Sequence, residues 1–183
     1  MITTKIKKAI ALVSAAMIIS VICSFTGCTS DEPKKDVNGN SQTATASETS
    51  GEQKFALNET AVFDNIKVTA TELKNSSGNE IIKPESGNVF VGIKFAIENT
   101  SSEDQTISSL MLFDAYIDGV KSEYSFNANT AFAEGTLDGS ISAGKKMIGY
   151  YAVEAKKGWK EISLEVKSDW LSDSKAEFVF ENK

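Results

Sequence analysis

The chain has 183 residues, with 19 basic and 25 acidic side chains, no histidine and a net charge of −6; every basic residue is lysine. Without histidine there is no ordinary general base near neutral pH, no Ser-His-Asp or Cys-His device, and the commonest zinc ligand is missing. Without arginine there is no bidentate clamp for phosphate, and the acidic balance argues against a surface for nucleic acid.

At the N-terminus Lys5, Lys7 and Lys8 precede an apolar run from Ala9 to about Phe25, which closes on Phe25-Thr26-Gly27-Cys28. A positive n-region, an apolar stretch and a small residue at the cut make a secretory signal. The closing four residues resemble the lipobox of bacterial lipoproteins, in which the signal is cut before a cysteine whose thiol receives a diacylglycerol. The resemblance implies a signal peptide over residues 1–27, lipid on Cys28, and an extracytoplasmic address at the cell surface. Phe25 departs from the leucine that lipoboxes usually carry. Ile22 makes Cys23 a poor alternative acceptor, whereas Gly27 suits a peptidase that wants a small residue. The other readings are plain secretion and an uncleaved spanning helix. Against the helix, Ser14, Ser20, Ser24 and Thr26 interrupt the run, and Thr29-Ser30-Asp31-Glu32 follows it in place of lysines. One acyl chain binds marginally, at about 0.8 kcal/mol per buried methylene, while two give stable anchoring. Cleavage removes three lysines and no acid, taking the net charge from −6 to −9. It also leaves no free thiol, so the folded part is expected to hold without a disulfide. Thr29 in place of Asp after Cys28 gives no inner-membrane retention signal, and the envelope type stays open.

Residues 28–53 are rich in Ser, Thr, Asn, Gly and charge, with one valine and no aromatic residue. Such a stretch cannot bury enough apolar surface to offset its chain entropy. It reads as a disordered tether, whose roughly 25 residues have a mean reach of about 25–30 Å.

From residue 54 to 183 the texture changes to the period-2 alternation of half-buried strands. Ile66, Val68 and Ala70 alternate, with Leu73 continuing after an irregularity. Val89, Val91, Ile93, Phe95 and Ile97 form the cleanest stripe. A strand follows at Met111, Phe113, Ala115 and Ile117, apolar on both faces because of Leu110, Leu112 and Tyr116. Asp118-Gly119 supplies the two φ > 0 residues of a type I′ hairpin, returning the chain through Lys121 to Phe126. Later strands are expected over Lys145–Glu154 (Met147, Tyr151 and Val153 inward), Lys160–Lys167 and Ala176–Glu181. Residues 127–142 lack alternation and read as a long loop with a helical turn around Ala131–Glu134. About seven short strands and no long helical period make an all-β antiparallel β-sandwich the natural solution. Gly149, inside a strand, marks a bulge or a close backbone approach.

Few residues carry chemistry. Carboxylates alone remain as catalytic candidates, and no spacing marks a glycosidase pair. Glu103 with Asp104, or Asp114 with Asp118, lacks the spacing of a known calcium loop, so no metal and no cofactor is expected. Exposed aromatic rings are the remaining binding candidates. Tyr150 points opposite to Tyr151, so one of the pair should face out. Trp159 lies in the turn Lys157-Gly158-Trp159-Lys160, Trp170 sits past a strand end, and Tyr150 with Tyr116 or Tyr124 would form a surface patch. A Trp at a strand end is also an ordinary lid on a core.

Several stretches together resemble the DUF4352 group of extracytoplasmic domains, related to an immunoprotective mycobacterial antigen. They are Gly87 to Asn99, Phe113 to Tyr124 with its Asp118-Gly119 turn, Ser142-Ala143-Gly144-Lys145 leading to Gly149–Val153, and Trp159 to Val166. The resemblance covers about Leu57 to Phe180. It implies an immunoglobulin-like fold and lipoproteins of Gram-positive bacteria, and it brings no catalytic residues. The functional expectation is a non-catalytic, monomeric binding or adhesion module, tied to the membrane through Cys28, for a protein or cell-wall glycan. The alternative is a self-protection lipoprotein that inhibits a secreted hydrolase or toxin.

Overall fold

The computed structural model describes residues 34–35, 53–132, 134–169, 171 and 174–182. Wherever the sequence alternates, one face is buried. In chain order the elements are β1 (Lys34–Lys35), β2 (Lys54–Phe55), β3 (Thr60–Val62), β4 (Ile66–Ser76), β5 (Asn88–Asn99) and β6 (Gln105–Ser108). Then come α1 (Ser109–Leu112), β7 (Phe113–Ile117), β8 (Val120–Ser122), α2 (Phe126–Thr130), β9 (Asp138–Ile141), β10 (Lys146–Lys156), β11 (Glu161–Lys167) and β12 (Lys175–Glu181). One sheet has the order β1-β3-β4-β5-β10 and the other β2-β12-β11-β7-β8, with β6 and β9 as a separate ribbon. All pairings are antiparallel except β2 with β12. This is the expected all-β, immunoglobulin-like sandwich.

Rings from both sheets meet between them, where apolar burial drives the packing. Phe95 of β5 sits edge-on to Phe113 of β7 (5.3 Å between centroids) and to Phe178 of β12 (5.4 Å), and Tyr151 of β10 stacks on Phe113 at 5.1 Å. Tyr151 therefore points inward, as the alternation predicts. β4 carries a bulge between Ala70 and Glu72, with the Thr71 hydroxyl donating to the Lys94 carbonyl. Asp118 (φ 50°) and Gly119 (φ 78°) form the expected hairpin turn. The Asp118 carboxylate accepts the backbone N–H groups of Glu161 and Lys160, which hold its pKa below the usual carboxylate value.

Asn99, which ends the cleanest predicted strand, is wholly buried. Its amide donates to the carbonyls of Glu103 and Ile141, and its Oδ1 accepts from the backbone and hydroxyl of Ser101. One side chain thus ties the turn after β5 to β9.

Three expectations change. Residues 109–112 are a helical turn and not the start of β7, because the Ser109 backbone N–H and hydroxyl donate to the Asp138 carboxylate. Leu112 is then buried while Leu110 and Met111 stay exposed. The strand expected to reach Phe126 stops at Ser122, since Ser125 caps α2 by accepting the Ala128 N–H at 3.1 Å. The helix therefore starts at Phe126, ahead of the turn expected at Ala131. Residues 127–142 are not one open loop. They contain α2 and β9, and with Phe132 they cover the outer face of β5 and β10. There Phe90, Ala128, Phe132, Tyr150 and Ala152 form a second, smaller core. Phe132 lies directly over Gly92, where a Cβ would come within 2.6 Å of its ring. Gly149 is the site of a close backbone approach, 2.8 Å from Thr136 for a notional Cβ.

The residues expected to form the signal (1–27), Cys28, most of the tether 28–53, and Trp170 lie outside the described residues. Within the expected tether, Lys34–Lys35 forms a strand on β3, opposite Val62 and Ala61.

Candidate functional site

The sandwich is left incomplete along one flank. β3 and β2, the strands at that side of the two sheets, are three and two residues long. The strands they flank, β4 and β12, run on past them. Between β2 and β3 the chain crosses from one sheet to the other through Ala56 and Leu57, with the Asn58 N–H donating to the Ala70 carbonyl. Beyond that crossing the sheets bound a cleft of about 590 Å³, within the usual range of ligand sites. Its walls are Leu57, Leu73 and Asn75 on one side and Val179 and Glu181 on the other, with Trp159 between them.

Trp159 is held by its turn: its backbone N–H donates to the Lys156 carbonyl, and its own carbonyl accepts the Asn182 amide. The ring is 2% exposed, so it lids the core and is not an open platform. Its indole Nε1, closed off from solvent, has no hydrogen-bond partner.

The other two ring candidates lie elsewhere. Tyr150 projects from the outer face of β10 but is buried (3% exposed) under Phe132, whose ring stacks on it at 5.0 Å. This corrects the expectation of an exposed ring, and the covering helix is the physical reason. The Tyr150 hydroxyl donates to Glu72 at 2.8 Å. Burial, and then that hydrogen bond, push the Tyr150 phenol up to about 12. Lys94 stands 5.3 Å from the centre of this ring and bonds Glu134 at 2.6 Å, which raises the lysine pKa and lowers that of Glu134. Tyr116 is half-buried on β7, in the opposite sheet, between Lys121 and Ser163. Tyr124 packs against Tyr151 and Phe126. The tyrosines therefore do not form one patch.

Asp114 is paired with Lys121 at 2.8 Å, which lowers its pKa, and with Lys167 at 3.6 Å, whereas the Asp118 carboxylate accepts the Lys160 and Glu161 backbone N–H groups. No group of three His, Cys, Asp or Glu side chains converges among the described residues. Nor is any described helix long and apolar enough to cross a membrane. The cleft offers apolar walls, a polar rim and strand edges, a chemistry of contact.

Sequence reasoning placed Trp159 in a turn but missed Leu57, Leu73 and Val179. The usable signal was the shortness of the apolar runs flanking β2 and β3, which cannot cover eleven-residue β4.

Fold and site together define a β-sandwich domain with a ligand-sized notch in its flank. The chain belongs to DUF4352, a domain of unknown function, whose family model matches residues 55–176. No curated protein matches it by sequence. Two crystal structures share its fold. One is described as a "putative lipoprotein" of Bacillus subtilis subsp. subtilis str. 168, with a TM-score of 0.51 and 16% identity over 64% of this chain and 37% of that one. The present chain thus spans little more than a third of that protein. The other is a conserved hypothetical protein of Bacillus anthracis, with a TM-score of 0.50 and 17% identity over 67% of this chain and 94% of that one. An uncharacterized β-sandwich protein of Clostridium difficile 630 aligns with a TM-score of 0.49 and 17% identity over 76% of this chain and all of that one.

Proposed function

We propose that this protein is a lipid-anchored, extracytoplasmic lipoprotein of a Gram-positive bacterium whose sandwich acts as a non-catalytic, monomeric binding module for a protein or cell-wall partner. The observation that carries the reading is the flank cleft with Trp159 at its inner wall, a concave apolar site with a few polar groups on its rim. The lipobox-like Phe25–Cys28 supports the address, and the likeness to a Bacillus subtilis protein described as a "putative lipoprotein" agrees with it. Absence of histidine supports binding over turnover.

The address is tested by Cys28→Ser, which should release the protein into the medium or leave its signal uncut. Unchanged membrane retention would make the N-terminal run the anchor. The binding role is tested by placing a photo-crosslinking residue at Leu57, on the cleft rim, and a second at Ile81, which is 93% exposed. Repeated capture of one wall or surface component from the Leu57 position alone supports the module. Equal yields from both positions, or none above background, refute the cleft as its binding surface. Repeated capture of one co-produced secreted hydrolase would move the reading to self-protection.

A further inference from the structure

We infer that the notch takes a segment of a partner polypeptide in extended conformation, added as a strand to the open edge of β12. This rests on the binding-module reading above and names its ligand class.

The register decides which way the backbone groups face. The Asn182 N–H donates to the Lys160 carbonyl, and the Asp118 N–H donates to the Glu161 carbonyl. Residue 160 therefore faces β12 and residue 161 faces β7. Antiparallel alternation then turns the N–H and C=O of Val179 and Glu181 away from β11, towards the side where β2 and the notch lie. On that side β2 takes up Glu177 and, through the Phe55 carbonyl that the Phe178–Phe55 pairing requires, the N–H of Val179; the Val179 carbonyl and both backbone groups of Glu181 lie beyond it. The facing wall has the same character. The Asn99 N–H donates to the Lys145 carbonyl, so residues 94, 92 and 90 of β5 face β4 and pair with Glu72, Lys74 and Ser76. Past the bulge, Leu73 and Asn75 consequently point their backbone groups outward into the notch.

The far edge of the same sheet is treated differently. On β10 the outward groups of Ala152 are taken up by the Asn129 side chain, which donates to its carbonyl and accepts its N–H, both at 2.9 Å. The outward N–H of Tyr150 donates to Gly135. An open strand edge is a template for pairing, and here one edge is plugged by the chain's own groups. Beyond the N–H that Val179 gives to β2, no described residue plugs the Val179 carbonyl or the backbone groups of Glu181.

Chain continuity identifies the occupant. β2 already lies on β12 as a short parallel strand, and the open edge continues its line. A polypeptide carries the donor and acceptor at every second residue that such an edge requires; a glycan or a lipid does not. Leu57, Leu73 and Val179 offer apolar walls for an alternate side chain. Glu181, the one charged side chain among the lining residues, complements a neutral or basic flank.

The test uses the full chain carrying Cys28→Ser and Trp170→Phe, so that Trp159 is its one indole. The probe is the blocked heptapeptide Lys-Val-Thr-Val-Thr-Val-Lys, compared with the same peptide N-methylated at alternate amides. Expected are a saturable change in Trp159 emission, slowed hydrogen exchange at the Glu181 amide, and binding at least tenfold weaker for the methylated peptide. Glu181→Pro removes one outward N–H without touching the β11 ladder. It should weaken binding at least tenfold at an unchanged melting temperature. Equal binding of both peptides overturns the inference, as does no saturation up to about 1 mM, the weak end of specific recognition. Slow exchange at the Glu181 amide before peptide is added also overturns it, because the edge would then be covered already. An N-acetylglucosamine oligomer that saturates the Trp159 signal where the peptide does not would overturn strand addition while leaving the binding module standing.

Discussion

The lid over the outer face of β5 and β10 rests on one missing side chain. Gly92→Ala places a methyl group 2.6 Å from two carbons of the Phe132 ring, far inside van der Waals contact. That ring is 6% exposed and stacks on Tyr150, so it cannot swing aside without giving up both contacts. Overpacking of this kind costs about 1–3 kcal/mol. Phe132→Ala, which removes the ring from a largely buried position, should cost about 2–4 kcal/mol, below the upper range for a central core ring. In the double variant the methyl group meets open space, and replacing a strand glycine regains about 0.5–1 kcal/mol. The two substitutions should therefore be coupled by about 2–3 kcal/mol, with the double variant no less stable than Phe132→Ala alone. Urea melts of the four proteins, followed by far-ultraviolet circular dichroism and by tryptophan emission, measure the cycle, with equal slopes required throughout. Additivity to within about 0.5 kcal/mol would show that Phe132 does not occupy the space above Gly92, and the account of the second core would fall.

Two further outcomes follow from buried polar groups. Asn99→Ala strands the carbonyls of Glu103 and Ile141 and should cost about 2–4 kcal/mol, as buried groups left unsatisfied do; a change under about 0.5 kcal/mol in a urea melt would refute the tie between the β5 turn and β9. Tyr150 and Tyr151 both have phenols raised from 10.0 to about 12, chiefly by burial, so the folded state favours their neutral forms. The stability this gives is fully present below about pH 10, the unfolded value, and is lost as pH rises through about 12. Tyr150→Phe should flatten that alkaline loss in melts between about pH 9 and 12, and an unaltered slope would refute the assignment to Tyr150.

How far the sequence disclosed the structure depended on how local the cause was. Val91, Ile93, Phe95 and Ile97 alternate because one face of β5 is core, and Asp118-Gly119 turns because its φ values demand such residues; both were legible. The run Leu110–Leu112 was not. Its apolar residues fit a two-sided strand as well as a helical turn, and the choice rests on Asp138, 29 residues from Ser109. Phe132 gave no sign that it covers Tyr150, because the partner of an outward-facing ring lies across the fold. Trp159 was visible as a turn aromatic, but the notch beside it was hidden. A cleft formed by two strands ending early is a property of pairings, and β2 and β3 are too short to show a period.

The strand at Lys34–Lys35 sets how the domain is presented. β1 and β4 are both antiparallel to β3, so β1 runs parallel to β4, with its first residue, Lys34, towards the Ile66 end. If Cys28 carries lipid, as proposed above, only residues 29–33 separate it from the docked strand, a length of chain that spans about 20 Å at full extension. On that proposal the stand-off from the bilayer is set by this short piece and not by the whole spacer. The notch, at the Leu73–Asn75 end of β4, lies roughly 20 Å further along the strand axis. On the proposed anchoring the molecule is polar in the geometric sense, moored at one pole and open at the other, with the notch turned away from the lipid and towards whatever the cell meets.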